Sequence, residues 1–185
     1  LLPARNLQHD PQDKDAQPLK EQYRLQERML RLGIPPHSTL VGKTIAASRI
    51  GTILGANVVG IRRQGRILAA PESSETLRAE DKLIVESGIG GIGRLREALH
   101  SLGQLRIEPQ ASLLDDLLTT SAPLAEIAVA AQAECAGQSL SQLNFRKRFG
   151  ANVLAVRRGA AIQRTRLQDR RLSAGDTLLI QAPRS

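Results

Sequence analysis

FGANVLAVRRG spans Phe149 to Gly159, and LGANVVGIRRQ spans Leu54 to Gln64, ninety-five residues earlier. Carried outward at that constant shift, residues 29–87 align with 124–182 without a gap. Twelve positions are identical: Gly42/Gly137, Gly55/Gly150, Ala56/Ala151, Asn57/Asn152, Val58/Val153, Arg62/Arg157, Arg63/Arg158, Ile67/Ile162, Leu77/Leu172, Ala79/Ala174, Asp81/Asp176 and Leu83/Leu178. Other positions exchange one apolar residue for another, as in Ile45/Leu140 and Ile61/Val156. The chain is an internal duplication, so the unit to be read is the repeat.

Each copy gives the same succession of elements. MLRLGI and LAEIAVA are short apolar stretches that predict a first strand. GKTIAAS and GQSLSQL predict a short helix; Ser139 and Gln142 have the spacing of a capping box, which Thr44 and Ala47 lack. NVVGI and NVLAV are compact β-branched runs, expected as a buried strand, with RIL and AIQ as hairpin partners. LRAEDKLIVE and LSAGDTLLIQ predict a turn and a last strand. Strict alternation puts Val59 and Ile61 (Leu154 and Val156) on one side, and Val58 and Gly60 (Val153 and Ala155) on the other. Both sides are apolar or small, so both are expected to be covered. A repeat of about 60 residues buries too little surface to be comfortably stable alone. The expected fold is α+β: two tandem repeats, each a short helix with mainly antiparallel strands, forming a pseudo-twofold pair.

The expected organisation is a linker over 1–18, a first repeat with a leading helix over 19–87, a glycine joint, helix and connector over 88–123, and a second repeat over 124–185. The chain carries a formal charge of +8 and a sequence pI near 10.7. Such a surface suits anionic partners. Tyr23, Phe145 and Phe149 are its only aromatic residues, too few for the stacking platforms of single-stranded nucleic-acid binders, and no nucleic-acid partner is expected. No run of about 18 apolar residues is present. Cys135 is the single cysteine, which excludes an intrachain disulfide and reads as a small core residue.

Several motifs invite a catalytic or cofactor reading. VGKT at Val41–Thr44 has His37 where a phosphate-binding loop needs its first glycine. GIGGIG at 88–93 matches a dinucleotide fingerprint through Gly88, Gly90 and Gly93, with Glu108 twenty residues after Gly88. This makes an oxidoreductase fragment the alternative reading. Against it, the preceding strand already closes the first repeat, and APRS stands at the corresponding place in the second. His9, His37 and His100 lack metal-ligand spacing. Asp81 and Asp176 precede strands in turns, where a carboxylate accepts backbone N–H groups. No catalytic residues, metal or cofactor are expected. In the doubled arginines, Arg62–Arg63 and Arg157–Arg158, the members of each pair point to opposite faces, so one can line a groove or the repeat interface.

The Gly–[Lys/Gln]–[Thr/Ser] helix start, the Gly-x-Asn-Val strand, the arginine hairpin and the [Glu/Gly]-Asp-x-Leu turn, in that order and twice over residues 29–182, resemble RCK-C (TrkA-C) domains. Tandem copies at this spacing resemble the soluble insert of bacterial permeases of the sodium/divalent-anion symporter family. The resemblance implies a non-catalytic regulatory or assembly module of an anion transporter, on the cytoplasmic face of the inner membrane. Its implied partners are the transmembrane portion of the same chain, a second copy in a homodimer, and an anionic ligand such as cyclic di-AMP at the pair interface. The positions it points to are Leu140, Arg146, Asn152 and Val153, with Asn57 and Val58 from the first repeat. Arg62 and Arg157 join them from the doubled arginines. Gly51 stands where the second repeat has Arg146, which makes the two halves unequal.

Overall fold

The computed structural model describes residues 16–87, 104–109, 123–164 and 167–182, with positions 93, 95, 97, 99 and 113 between them. Helix α1 (Ala16–Gln22) leads into the first repeat. There β1 (Met29–Gly33), α2 (Ile45–Ser48), α3 (Ile50–Leu54), β2 (Ala56–Arg63), β3 (Arg66–Ala69) and β4 (Lys82–Ser87) follow in order, and β5 (Arg106–Ile107) comes after the helical positions 93, 95, 97 and 99. The second repeat holds β6 (Leu124–Ala128), α4 (Phe145–Phe149), β7 (Asn152–Arg158), β8 (Ala161–Gln163) and β9 (Thr177–Gln181). The sheets are ordered β3-β2-β4-β1-β5 and β6-β9-β7-β8, with every pairing antiparallel. The fold is two small α+β repeats in tandem.

Local chemistry explains the shared phrase. Gly55 and Gly150 end α3 and α4 with φ of 59° and 61°, a left-handed turn that glycine enters without a Cβ penalty, and the chain then enters the Asn-Val strand. Thr44 caps α2 through its hydroxyl, which accepts from the Ala47 amide at 3.1 Å. Ser139 and Gln142 form the reciprocal box, each side chain accepting from the other's amide at 3.2 and 2.9 Å. The expected helix over GQSLSQL is nonetheless a run of turns, and regular helix begins only at Phe145. Asn144 is left-handed there (φ 47°), as Arg49 is between α2 and α3 (φ 55°), so the helical segment is broken at the same place in both repeats.

The expected alternation in the central strands is corrected by a β-bulge. The register of β2 on β4 shifts between Val58 and Gly60, and that of β7 on β9 between Val153 and Ala155. Val59 and Leu154 are the extra residues, and an extra residue reverses the facing of the rest of its strand. Val58 and Ile61 thus share the first repeat's own core, and Val153 and Val156 the second's. Val59 and Leu154 face the other way, into a third cluster between the repeats.

That third cluster joins the two sheets. Met29, Val59 and Ile84 meet Leu124, Leu154 and Leu179, which are the same three positions of each repeat at the shift of ninety-five. An interface in which equivalent positions meet is self-complementary, so the repeats form a pseudo-twofold pair within one chain. Tyr23 and Leu25, following α1, are fully buried in the same cluster. Residues 1–15 of the expected linker lie outside the described residues, and α1 takes up its end.

The dinucleotide alternative meets a different topology. β4 and β5 both pair antiparallel with β1, so they run parallel to each other with β1 between them, whereas a dinucleotide fold places such strands side by side. Gly88 and Gly90 lie outside the described residues, and Gly93 is helical. Glu108 is held by Arg106 at 2.9 Å and Lys82 at 3.4 Å. Among the described residues no helix is long and apolar enough to cross a membrane.

Candidate functional site at the repeat interface

A cavity of about 360 Å³ opens where α4 of the second repeat faces the first repeat. Asn57, Glu72 and Ser73 line it from the first repeat; Leu140, Phe145, Arg146 and Lys147 line it from the second, with Ser141, Asn144 and Gln168. A recess of about 30 Å³ shares Asn57, Leu140 and Arg146 with it and is also lined by Asn152 and Val153. Leu140 and Phe145 supply an apolar wall, and the remaining groups are polar or charged.

Arg146 is the central group. It leaves α4, crosses to the first repeat, and donates from Nη2 to Asn57 Oδ1 at 2.9 Å and from Nη1 to the Pro71 carbonyl at 3.0 Å. Both acceptors are neutral, and no carboxylate pairs with it among the described residues. Burial pushes its guanidinium down to about 10. Lys147 adds an exposed ammonium beside it. The lining's one carboxylate, Glu72, accepts from the Ser74 hydroxyl at 3.1 Å. Two cations against one anion, with amides and hydroxyls around them, suit a ligand carrying negative charge.

The interface around the cavity is held by polar groups aimed at the bulges. Asn152, 1% exposed, donates from Nδ2 to the Val59 carbonyl at 3.0 Å and to Gln181 Oε1 at 3.2 Å. Arg28, fully buried, donates to the Leu154 carbonyl at 3.1 Å and the Arg164 carbonyl at 3.1 Å, and forms an ion pair with Glu86. Each bulge thus gives a backbone carbonyl to the opposite repeat. Burial pushes the Glu86 carboxyl up to about 7, with Arg28 opposing the rise. Tyr23 donates its hydroxyl to Glu126.

The sequence-derived residues divide clearly. Leu140, Arg146 and Asn57 line the cavity, and Asn152 and Val153 line its recess. Val58 packs inside the first repeat's core. Arg62 and Arg157 are not among the lining residues, and Arg157 instead lies 3.6 Å from Glu126. Their neighbours Arg63 and Arg158 each grip an aspartate with two bonds: Arg63 to Asp81 at 2.8 and 2.8 Å, and Arg158 to Asp176 at 2.6 and 2.8 Å. The same aspartates accept the Arg78 and Ser173 amides at 2.8 Å, the backbone role expected of them. Sequence reasoning missed Glu72, Ser73, Ser141, Asn144, Phe145, Lys147 and Gln168. Lys147 and Asn144 flank Arg146 closely enough to be found from it, and Ser73 and Gln168 are paired by the repeat shift.

A twofold pair of bulged antiparallel sheets, each opened by a broken helix, places the chain in a definite class. It matches the TrkA-C domain at residues 29–100 and again at 124–185, more than half its length, and it belongs to that family. It is 28% identical over 187 residues to "Uncharacterized transporter sll0640" of Synechocystis, an alignment covering 100% of this chain and 30% of that protein. It is 25% identical over 167 residues to "Probable sodium/sulfate cotransporter 3" of Chlamydomonas reinhardtii, covering 82% of this chain and 18% of that one. The chain therefore spans less than a third of the length of these relatives. A solved RCK C domain of the potassium transport protein KtrA in complex with cyclic di-AMP aligns over 40% of this chain and 87% of its own, with 29% identity and a TM-score of 0.35.

Proposed function

We propose that this chain is the regulatory module of a membrane anion transporter, lying on the cytoplasmic face of the inner membrane and joined to the transmembrane portion of the same polypeptide. An anionic ligand enters the cavity between the repeats, engages Arg146 and Lys147, and biases how the repeats pair. The observation that carries this is Arg146, a half-buried cation that bridges both repeats on neutral acceptors while facing a cavity. A phosphate or carboxylate makes stronger, charge-assisted bonds to a guanidinium than an amide oxygen does. Binding therefore draws Arg146 away from Asn57 and Pro71, and the pairing responds because the ligand has unequal affinity for the two arrangements. Cyclic di-AMP is the first ligand to try, with ATP, NADH, citrate and sulfate beside it. A homodimer is the expected assembly, each chain contributing an internal pair.

The test of the wider reading is the full reading frame. Apolar spans of about 20 residues on both sides of this segment are expected. In vesicles, the full-length protein should move an inorganic or carboxylate anion, and Arg146→Gln should change the response of transport to the ligand while leaving maximal transport intact. Absence of flanking spans, or a ligand response unaltered by Arg146→Gln, counts against it.

A further inference from the structure

The two repeats pair through equivalent positions, yet their outer faces are not equally covered. In the first repeat the segment after β4 folds back over the core. Leu95, Leu99 and Leu105 are buried in that core and Ile107 packs against it. β5 pairs with the outer edge of β1, and the Glu108 amide donates to the Arg31 carbonyl at 3.0 Å. Gln104 Oε1 then accepts from the Thr39 amide at 2.6 Å and the Thr39 hydroxyl at 3.0 Å, closing the loop after β1.

Nothing among the described residues does this for the second repeat. β6 stands at the edge of its sheet and pairs with β9 alone. Ile127, Cys135 and Ile180 are only partly buried against their core, whereas their counterparts Leu32, Leu40 and Val85 are buried, at 0%, 9% and 0% exposure. An open edge strand beside partly exposed apolar side chains is a template for a further strand.

We propose that the outer face of the second repeat is the docking site for a helix and short strand of the same polypeptide, supplied by residues beyond Ser185. This segment is the counterpart of residues 88–107: an apolar-faced helix laid over Ile127, Ile180 and Cys135, then a strand added to the free edge of β6. Two observations choose this occupant over a second copy of the chain. The first repeat shows the arrangement complete, with Ile107 reached twenty residues after Ser87. The relatives are also more than three times as long as this chain, which leaves room for such a segment.

The experiment compares residues 1–185 with the natural reading frame carried about 25 residues further, using Cys135 alkylation and native-state hydrogen exchange. In the longer chain Cys135 should label at least about tenfold more slowly, and the β6 amides not bonded to β9 should gain about tenfold or more in protection, as expected when an opening now requires undocking. Ile127→Asn in the longer chain should restore fast labelling while leaving exchange in β2 and β4 unchanged. Equal rates in the two chains would overturn the proposal. So would slow labelling of residues 1–185 that strengthens with protein concentration, since that makes a second copy the occupant.

Discussion

Arg146 of the second repeat donates to the side-chain oxygen of Asn57 in the first at 2.9 Å, and Asn57 occupies the position that Asn152 occupies in its own repeat. The two asparagines begin from one sequence phrase and end in different roles. Asn152 is sealed between the repeats on the Val59 carbonyl, while Asn57 receives a cation at the mouth of a cavity. The asymmetry follows a difference within the duplication: Gly51 stands where Arg146 does, so an arginine crosses from this helix position in the second repeat and not in the first.

Asn152→Ala should lower stability by about 1–3 kcal/mol, since the buried Val59 carbonyl loses its donor from across the interface. Chemical denaturation checks this. Asn57→Ala should cost less, because Asn57 is only half-buried and lines the cavity.

Leu154→Ala should cost about 2–5 kcal/mol, the range for emptying a buried leucine site. Leu154 is fully buried in the cluster between the sheets, so the loss falls on pairing and not on the second repeat's own core. Calorimetry should show the single unfolding transition broadening or splitting as the repeats lose their mutual support.

Acid sensitivity should trace to Asp176, under the second hairpin. Bidentate bonding by Arg158, with the Ser173 amide, holds the Asp176 carboxyl below its ordinary 3.8. A lowered carboxylate pKa contributes stability that is present above 3.8 and is lost as pH falls through the folded-state value. Melting temperature should therefore drop on acidification below about pH 4, and Asp176→Asn should flatten that limb while lowering stability at neutral pH.

Glu86 carries the opposite sign. Burial raises its carboxyl from 4.5 to about 7, so the stability tied to it is fully present below 4.5 and is lost as pH rises through about 7. Glu86→Gln, which copies Gln181 of the second repeat, should remove that slope between about pH 4.5 and 7. The test is melting temperature against pH for the two proteins side by side.

The duplication and its strand order were legible because apolar runs, turn residues and the Gly-Ala-Asn-Val phrase are local and occur twice. The facing of Val59 and Leu154 was not, since a bulge adds one residue without disturbing local composition, and only the partner strands reveal the shift. Arg28 was equally hidden. Its counterpart by the repeat shift is Pro123, and its partner Glu86 lies fifty-eight residues away, so no spacing rule connects them. At the cavity, Asn57, Asn152 and Val153 were found because they sit in the shared phrase, and Arg146 because it stands three residues before it, whereas Asn144 and Lys147 on the same broken helix match no residue type of the first repeat. Glu72 has Leu167 as its counterpart by the repeat shift and Ser73 has Gln168, so no shared residue type marks either position.

The most direct test is thermal unfolding of the chain and of Arg146→Gln, each with saturating cyclic di-AMP, ATP, NADH, citrate and sulfate. A ligand selective for the native state adds about 2.7 kcal/mol at one hundred times its dissociation constant, a readily measured shift. The predicted result is a rise in melting temperature with at least one of these anions that Arg146→Gln abolishes. No shift with any of them, or a shift that survives Arg146→Gln unchanged, would contradict the assignment of the inter-repeat cavity as the sensing site.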